Sequence, residues 1–127
     1  QNVKLEKAYS DYFAKEGQKF QKANDIAKAA ENFTKSSQVS NKQLKARGLL
    51  SLGTLYFNNG ASILQKATPY ATSEKEKYEA EKAKALADFK KAQDYLKQAA
   101  TVEPTNEAVK ETQKQVADAI APLVEKK

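Results

Sequence analysis

Two stretches of this 127-residue chain carry small and large side chains at matching intervals. Successive members of the first set are four, three, nine, four, three and five residues apart, and the second set repeats every interval except the nine. This spacing is typical of antiparallel helix pairs, in which a small residue on one helix leaves room for a large residue on its neighbour. It predicts an all-α fold of stacked helical hairpins. The first set is Phe13, Gly17, Phe20, Ala29, Phe33, Ser36 and Asn41, and the second is Leu49, Gly53, Tyr56, Ala92, Leu96, Ala99 and Pro104.

The composition argues against catalysis. The chain has no cysteine and no histidine, which removes the usual ligands of structural zinc, the thiolate nucleophile and the commonest general base. Its four glycines are dispersed and form no phosphate-binding loop. We therefore predict a protein that is not an enzyme and that needs no metal and no cofactor. No apolar run is long enough to predict a membrane span.

The net charge of +6 is concentrated in the first half of the chain. Residues 1–50 hold ten Lys or Arg against five Asp or Glu, a balance of +5. Dispersed charge of this kind is typical of a solvated surface, although it also favours an acidic partner or an anionic surface. In residues 74–91 the lysines alternate with acids one helical turn away, which supports a helix and argues against a nucleic-acid-binding stripe.

The apolar periodicity predicts five helices, with boundaries set by capping and helix-breaking residues. Asn24-Asp25, Ser40 or Asn41, and Thr72 or Ser73 are candidate N-caps. Leu5, Tyr9 and Tyr12 belong to the apolar stripe of the first helix, and Pro122 is expected to interrupt the last one. We expect the third helix to continue through Asn58-Asn59-Gly60. The five helices are predicted over about 3–22, 25–38, 41–67, 73–100 and 106–121.

The two spaced sets resemble the tetratricopeptide repeat, a pair of antiparallel helices whose copies stack into a right-handed solenoid with a concave groove. The resemblance is carried by the residues of the two sets, and most specifically by the segment LKQAATVEPTN over 96–106. It implies one domain over 1–127. Repeat one covers about 10–41, repeat two about 46–104, and a capping helix about 106–121. In repeat one, Ser36 and Asn41 replace the family's usual alanine and proline.

Repeat two contains a long insertion. Tyr56 and Ala92 are 36 residues apart, whereas Phe20 and Ala29 are nine apart, so 27 residues are extra. If both helices of the hairpin grew equally, each would gain about 13 residues, or roughly 20 Å. The alternative is a separate insertion that starts at Asn59-Gly60. The capping helix would turn polar residues outward, namely Lys110, Glu111, Gln113, Lys114 and Asp118.

The resemblance also implies where a partner would bind, because the first helix of each pair lines the groove in this family. Leu50 and Phe57 lie seven residues apart and would form an apolar anchor, unless the fifth helix or the long hairpin covers them. The family's carboxylate clamp is absent, since Ala14, Gln18 and Ser51 stand at three of its positions. The candidate groove residues are Gln18, Gln21, Arg47, Leu50, Thr54, Phe57 and Asn58.

These observations predict a noncatalytic module that binds a protein or peptide in the groove between the first and third helices. One alternative is an electrostatic binder that engages nucleic acid or an anionic envelope surface through the basic N-terminal half. Another is a structural spacer that self-associates as a homodimer through the long hairpin. The chain starts at Gln1 rather than Met, which favours an exported, periplasmic protein whose signal peptide has been removed; the alternative is that Gln1 is an arbitrary boundary and leaves the compartment unknown.

Overall fold

The computed structural model describes residues 3–124, and these residues form five α-helices and one short 3-10 turn. Helices that are neighbours in sequence pack most extensively against each other, α1 also contacts α3, and α3 also contacts α5. The all-α solenoid of helical hairpins that the spacing predicts is confirmed. The helices are α1 (Val3–Lys22), α2 (Ile26–Ser37), α3 (Lys42–Ala67), α4 (Lys75–Val102) and α5 (Glu107–Val124), and the 3-10 turn is Thr68–Tyr70.

Side-chain caps fix the starts of three helices. The Asp25 carboxylate accepts a hydrogen bond from the Lys28 amide at 3.1 Å and caps α2. The Asn41 side chain accepts from the Leu44 amide at 3.0 Å and caps α3, and Asn106 accepts from the Val109 amide in the first turn of α5. Each cap satisfies an amide that has no partner within its own helix.

Two predicted boundaries are wrong. Neither Thr72 nor Ser73 caps α4, which begins at Lys75, because the chain first passes through the 3-10 turn and the Glu74 amide donates to the Tyr70 carbonyl at 3.0 Å. Pro122 does not interrupt α5, which continues to Val124. The proline removes one backbone hydrogen bond, and the described part of the helix continues past it.

The helix α3 runs unbroken through Asn58, Asn59 and Gly60. Gly60 has no positive φ and serves close packing rather than a turn. A Cβ at this position would lie 2.8 Å from Cε1 of Phe89 on α4, well inside van der Waals contact. The Asn-Gly pair therefore marks a place where α3 and α4 approach each other closely.

The extra residues of the second hairpin are unequally divided. Helix α1 ends two residues after Phe20, whereas α3 ends eleven residues after Tyr56. Helix α2 begins three residues before Ala29, whereas α4 begins seventeen residues before Ala92. The expected gain of about 13 residues per helix is thus replaced by nine on α3, fourteen on α4 and four in the connection. The hairpin is asymmetric because its connection includes the 3-10 turn.

Glycines opposite large side chains set the distance between paired helices. A Cβ on Gly17 of α1 would lie 2.5 Å from Cδ1 of Phe33 on α2, and one on Gly53 of α3 would lie 2.7 Å from Cγ of Leu96 on α4. These contacts are equivalent in the two repeats. The buried core around these contacts consists of two clusters. The first cluster is Ala29, Phe33, Leu49, Leu52, Leu55, Ala99 and Val109, and the second is Ala85, Phe89, Ala92, Leu96 and Val116.

Two other members of the two sets lie at the edges of these clusters. Phe20 and Tyr56 are partly buried against the first cluster, and the Tyr56 ring stacks on Tyr95 at 5.8 Å. Pro104 is exposed in the turn between α4 and α5. Phe13 is partly buried and contacts the rings of Tyr9 and Tyr12 edge-on.

The two ends of the helix stack differ in polarity. At the α5 end, Lys110, Glu111, Lys114 and Asp118 are exposed and Gln113 is half-buried, while Val109 and Val116 face the core. At the α1 end, the expectation that the whole apolar stripe packs inward is wrong. Leu5, Tyr9 and Tyr12 are 69%, 42% and 57% exposed, because no helix among the described residues covers that side of α1.

Candidate functional site

A shallow trough lies between α1 and α3. Its first part has a volume of about 260 Å³, and the Phe33 ring of α2 is part of its lining. A second depression of about 180 Å³ shares Gln21 with the first. We call these two depressions together the α1–α3 trough. The first is lined by Gln18, Gln21, Phe33, Leu50, Ser51 and Thr54, and the second by Gln21, Asn24, Ile26, Leu55, Asn58, Asn59 and Ser62.

None of these lining side chains is ionisable. The side-chain amides of Gln18, Gln21 and Asn58 make no hydrogen bond to any residue within 3–124. The Asn59 amide, in contrast, donates to Asp88 on α4 at 2.6 Å. The trough therefore offers neutral donors and acceptors that are available to a ligand, since each amide carries both kinds of group.

The structure places five of the seven predicted groove residues around the trough. Gln18 and Gln21 come from one side of α1, and Leu50, Thr54 and Asn58 come from α3. Leu50 is partly buried and packs against both core clusters, so only part of its side chain faces the trough. Phe57 and Arg47 do not line it.

Phe57 packs within the second hairpin. Its ring centroid lies 5.7 Å from that of Phe89 on α4, and it is partly buried against the cluster that contains Phe89 and Leu96. The predicted apolar pair of Leu50 and Phe57 is therefore not a shared groove anchor. The seven-residue spacing places both residues on one side of α3, but at Phe57 that side is contacted by Phe89 of the extended α4.

Arg47 is held in a polar junction between three helices. Its Nη1 lies 2.7 Å from Oδ1 of Asp11 on α1, and its Nη2 donates to Oγ of Ser10 at 2.8 Å. Its Nε is buried and has no hydrogen-bond partner. Hydrogen bonds from Lys7 and Arg47 lower the pKa of the Asp11 carboxyl below its ordinary value of 3.8. Arg47 thus links α3 to α1, and its guanidinium is already engaged by Asp11 and Ser10.

Sequence reasoning missed the hydroxyl pair beneath this junction. Ser10 and Ser36 are fully buried, and each Oγ donates to the other residue's carbonyl at 2.8 Å. Ser36, the departure from the family's alanine, therefore joins α1 to α2 with its polar atoms satisfied. Asn41, the other departure, caps α3. The signal in the sequence was a serine at position 10 that is followed three, four and seven residues later by Phe13, Ala14 and Gly17.

The described residues provide little for metal chemistry or membrane insertion. Within 3–124, no group of three or more acidic side chains is arranged to hold a metal ion. No helix in that range combines the length and the apolar character needed to cross a bilayer. We base the functional argument on the α1–α3 trough because five of the seven predicted groove residues line it.

Comparison with known proteins identifies the type of repeat. No protein-family model matches the sequence, and no curated protein matches it. The chain is similar to a TPR repeats protein from Bacteroides fragilis known from a crystal structure, with 52% sequence identity and a TM-score of 0.91. The similarity covers 94% of this chain and 53% of that protein, so the chain spans about half its length. Together with the paired glycine contacts, this similarity makes the chain a tetratricopeptide-like helical repeat protein.

Proposed function

We propose that this chain is a noncatalytic protein-binding module that holds an extended, uncharged segment of a partner polypeptide in the α1–α3 trough. The observation that carries the proposal is the neutral lining of the trough, in which the amides of Gln18, Gln21 and Asn58 are unengaged. An extended peptide presents unpaired N–H and C=O groups along its length, and side-chain amides can donate to one and accept from the other.

Apolar contacts would add to these hydrogen bonds. Leu50 and the edge of Phe33 belong to the first depression, and Ile26 and Leu55 belong to the second. A small apolar side chain of the partner would be removed from water there, and this burial would supply most of the favourable free energy of binding. Hydrogen bonds to the trough replace hydrogen bonds to water, so they add less. The expected ligand is a segment with small apolar residues and no charge.

The charges near the trough support a neutral ligand. Arg47 does not line the trough, and its guanidinium is already bonded to Asp11 and Ser10. The excess of Lys and Arg over acids in residues 1–50 lies outside the trough, because no lysine or arginine lines it. Binding in the trough is therefore expected to depend only weakly on salt, whereas the electrostatic alternative requires a steep dependence.

The test is selection from a displayed peptide library followed by direct affinity measurements. The selected peptides are expected to lack charge, and Gln18→Ala/Gln21→Ala is expected to weaken their binding by about tenfold or more, as loss of buried hydrogen-bond partners does. Gln115→Ala is the matched control, because Gln115 is an exposed amide on α5, away from the trough. Equal affinities of the double variant and the wild type would refute the proposed site, as would a loss of binding at high salt.

A further inference from the structure

The outward side of α1 carries an aromatic row that is not part of the trough. Tyr9 and Tyr12 are 42% and 57% exposed. Their ring centroids lie 4.8 Å and 5.0 Å from that of Phe13, in edge-on contact. Phe13 is partly buried, so the row is continuous with the interior of the first hairpin. We call Tyr9, Tyr12 and Phe13 the α1 outer face.

Lysines border the α1 outer face on both edges. Lys15 and Lys19 follow Tyr12 by three and seven residues, which places them beside it on successive turns of α1. Both are exposed and neither makes an ion pair with a residue of the described chain. On the other edge, the Nζ atom of Lys35 on α2 lies 5.2 Å from the centroid of the Phe13 ring.

Further along that second edge, the Nζ atom of Lys28 lies 5.4 Å from the centroid of the Phe20 ring. Three acids lie nearby. Glu6 precedes Tyr9 by three residues, Glu16 follows Tyr12 by four, and Glu31 lies 3.8 Å from Lys35. Four lysines against these three acids leave the surroundings of the aromatic row net positive. An apolar row in net positive surroundings is complementary to an apolar stripe flanked by acids.

The opposite end of the stack argues against a second copy as the occupant. The outer side of α5 holds ion pairs between Lys110 and Glu107 at 3.7 Å and between Lys114 and Asp118 at 3.5 Å. Stacking the α1 outer face on α5 of another copy would cover these charges with aromatic rings, at a cost in desolvation. Pairing two α1 outer faces would bring lysine edges together and would be opposed by like-charge repulsion.

We infer that the α1 outer face docks an amphipathic helix of a partner protein whose apolar stripe is flanked by acidic residues. Tyr9 and Tyr12 supply large, amphipathic contact area, and their hydroxyls can remain solvated at the rim. A helix laid along α1 would bury its apolar residues at positions i, i+3/i+4 and i+7 against the aromatic row. Its acids would meet Lys15 and Lys19 on one edge and Lys28 and Lys35 on the other. This surface is separate from the trough, so both could be occupied together.

Two designed helical peptides provide the probes. They share one leucine stripe and differ only in its flanking residues, which are glutamate in one peptide and lysine in the other. The glutamate peptide is expected to bind the whole chain at least about tenfold more tightly than the lysine peptide, as judged by isothermal titration calorimetry. Tyr12→Ser and Lys15→Glu/Lys19→Glu are each expected to weaken its binding by about tenfold or more. Circular dichroism checks that each variant remains folded.

The matched control is Lys110→Glu/Lys114→Glu, which changes charge equally at the other end of the stack and is expected to leave binding of the glutamate peptide unchanged. The trough variant Gln18→Ala/Gln21→Ala is also expected to bind this peptide normally, which separates this inference from the proposed function. Several results would overturn the inference: equal binding of the two peptides, an equal loss in the α5 control, preferential binding of phosphatidylglycerol vesicles, or a dimer in light scattering that Tyr12→Ser dissociates.

Discussion

A methyl group added at Gly17 tests the packing on which the repeat depends. An ideal Cβ there would lie 2.5 Å from both Cδ1 and Cε1 of Phe33 and 2.9 Å from its Cζ. Phe33 is 2% exposed and belongs to the first core cluster, so its ring cannot shift without disturbing its packed neighbours. Overpacking of this kind costs about 1–3 kcal/mol, and the short distance favours the upper end. Replacing a helical glycine by alanine gains about 1 kcal/mol. We therefore expect Gly17→Ala to lower the free energy of unfolding by about 2 kcal/mol.

Chemical denaturation followed by circular dichroism measures this change, and a double-mutant cycle assigns it. Phe33→Leu makes space opposite position 17, so the double variant is expected to be less destabilised than the sum of the single variants by about 1 kcal/mol or more. Ala117→Gly on the exposed side of α5 measures the helix-propensity contribution in the same chain. If Gly17→Ala stabilised the protein as much as Ala117→Gly destabilises it, position 17 would be open space and the packing argument would be refuted.

Three further predictions concern pH and helix spacing. A side-chain hydrogen bond from Ser40 is the main cause that lowers the pKa of Glu6 below its ordinary 4.5. The ionised Glu6 carboxylate therefore contributes fully to folding stability above pH 4.5, and this contribution is lost as the pH falls below 4.5 and the carboxylate is protonated. Glu6→Gln is expected to flatten the acid dependence of the thermal midpoint. Burial raises the pKa of Tyr56 and Tyr95 above 10.0. The folding stability is therefore expected to fall as pH rises beyond 10.0. The ultraviolet absorbance of ionised tyrosine is expected to show that two tyrosines ionise at higher pH than the others. Gly48→Ala places a Cβ 2.7 Å from backbone atoms of α2, and we expect a thermal midpoint lower than that of Gly17→Ala.

The fold could be predicted because its determinants repeat along the chain. Small residues opposite large ones recur at fixed intervals, and Gly17 and Gly53 occupy equivalent contacts in the two hairpins. The caps at Asp25 and Asn41 were recognisable because a capping residue must precede the apolar periodicity. The equal division of the insertion was wrong, because seven residues connect α3 to α4 and include the 3-10 turn that contains Pro69.

The candidate site was less accessible to sequence reasoning because position within a repeat specifies a side of a helix, not its neighbours. Arg47 occupies a groove position, but Asp11 and Ser10 hold its guanidinium. Phe57 occupies another, but the extended α4 provides Phe89 to cover it. Tyr12 follows the apolar periodicity of α1 yet is exposed, because periodicity does not show whether another helix lies alongside. These outcomes depend on tertiary contacts between distant segments.

The most direct test of the central claim is an amide chemical-shift titration of the isotopically labelled protein with an uncharged peptide selected by library display. We expect the largest shifts on residues of the α1–α3 trough, around Gln21, Leu50, Thr54 and Asn58, and we expect the midpoint of the titration to stay the same when salt is raised. Shifts concentrated on α4 and α5, or a midpoint that moves steeply with salt, would contradict it.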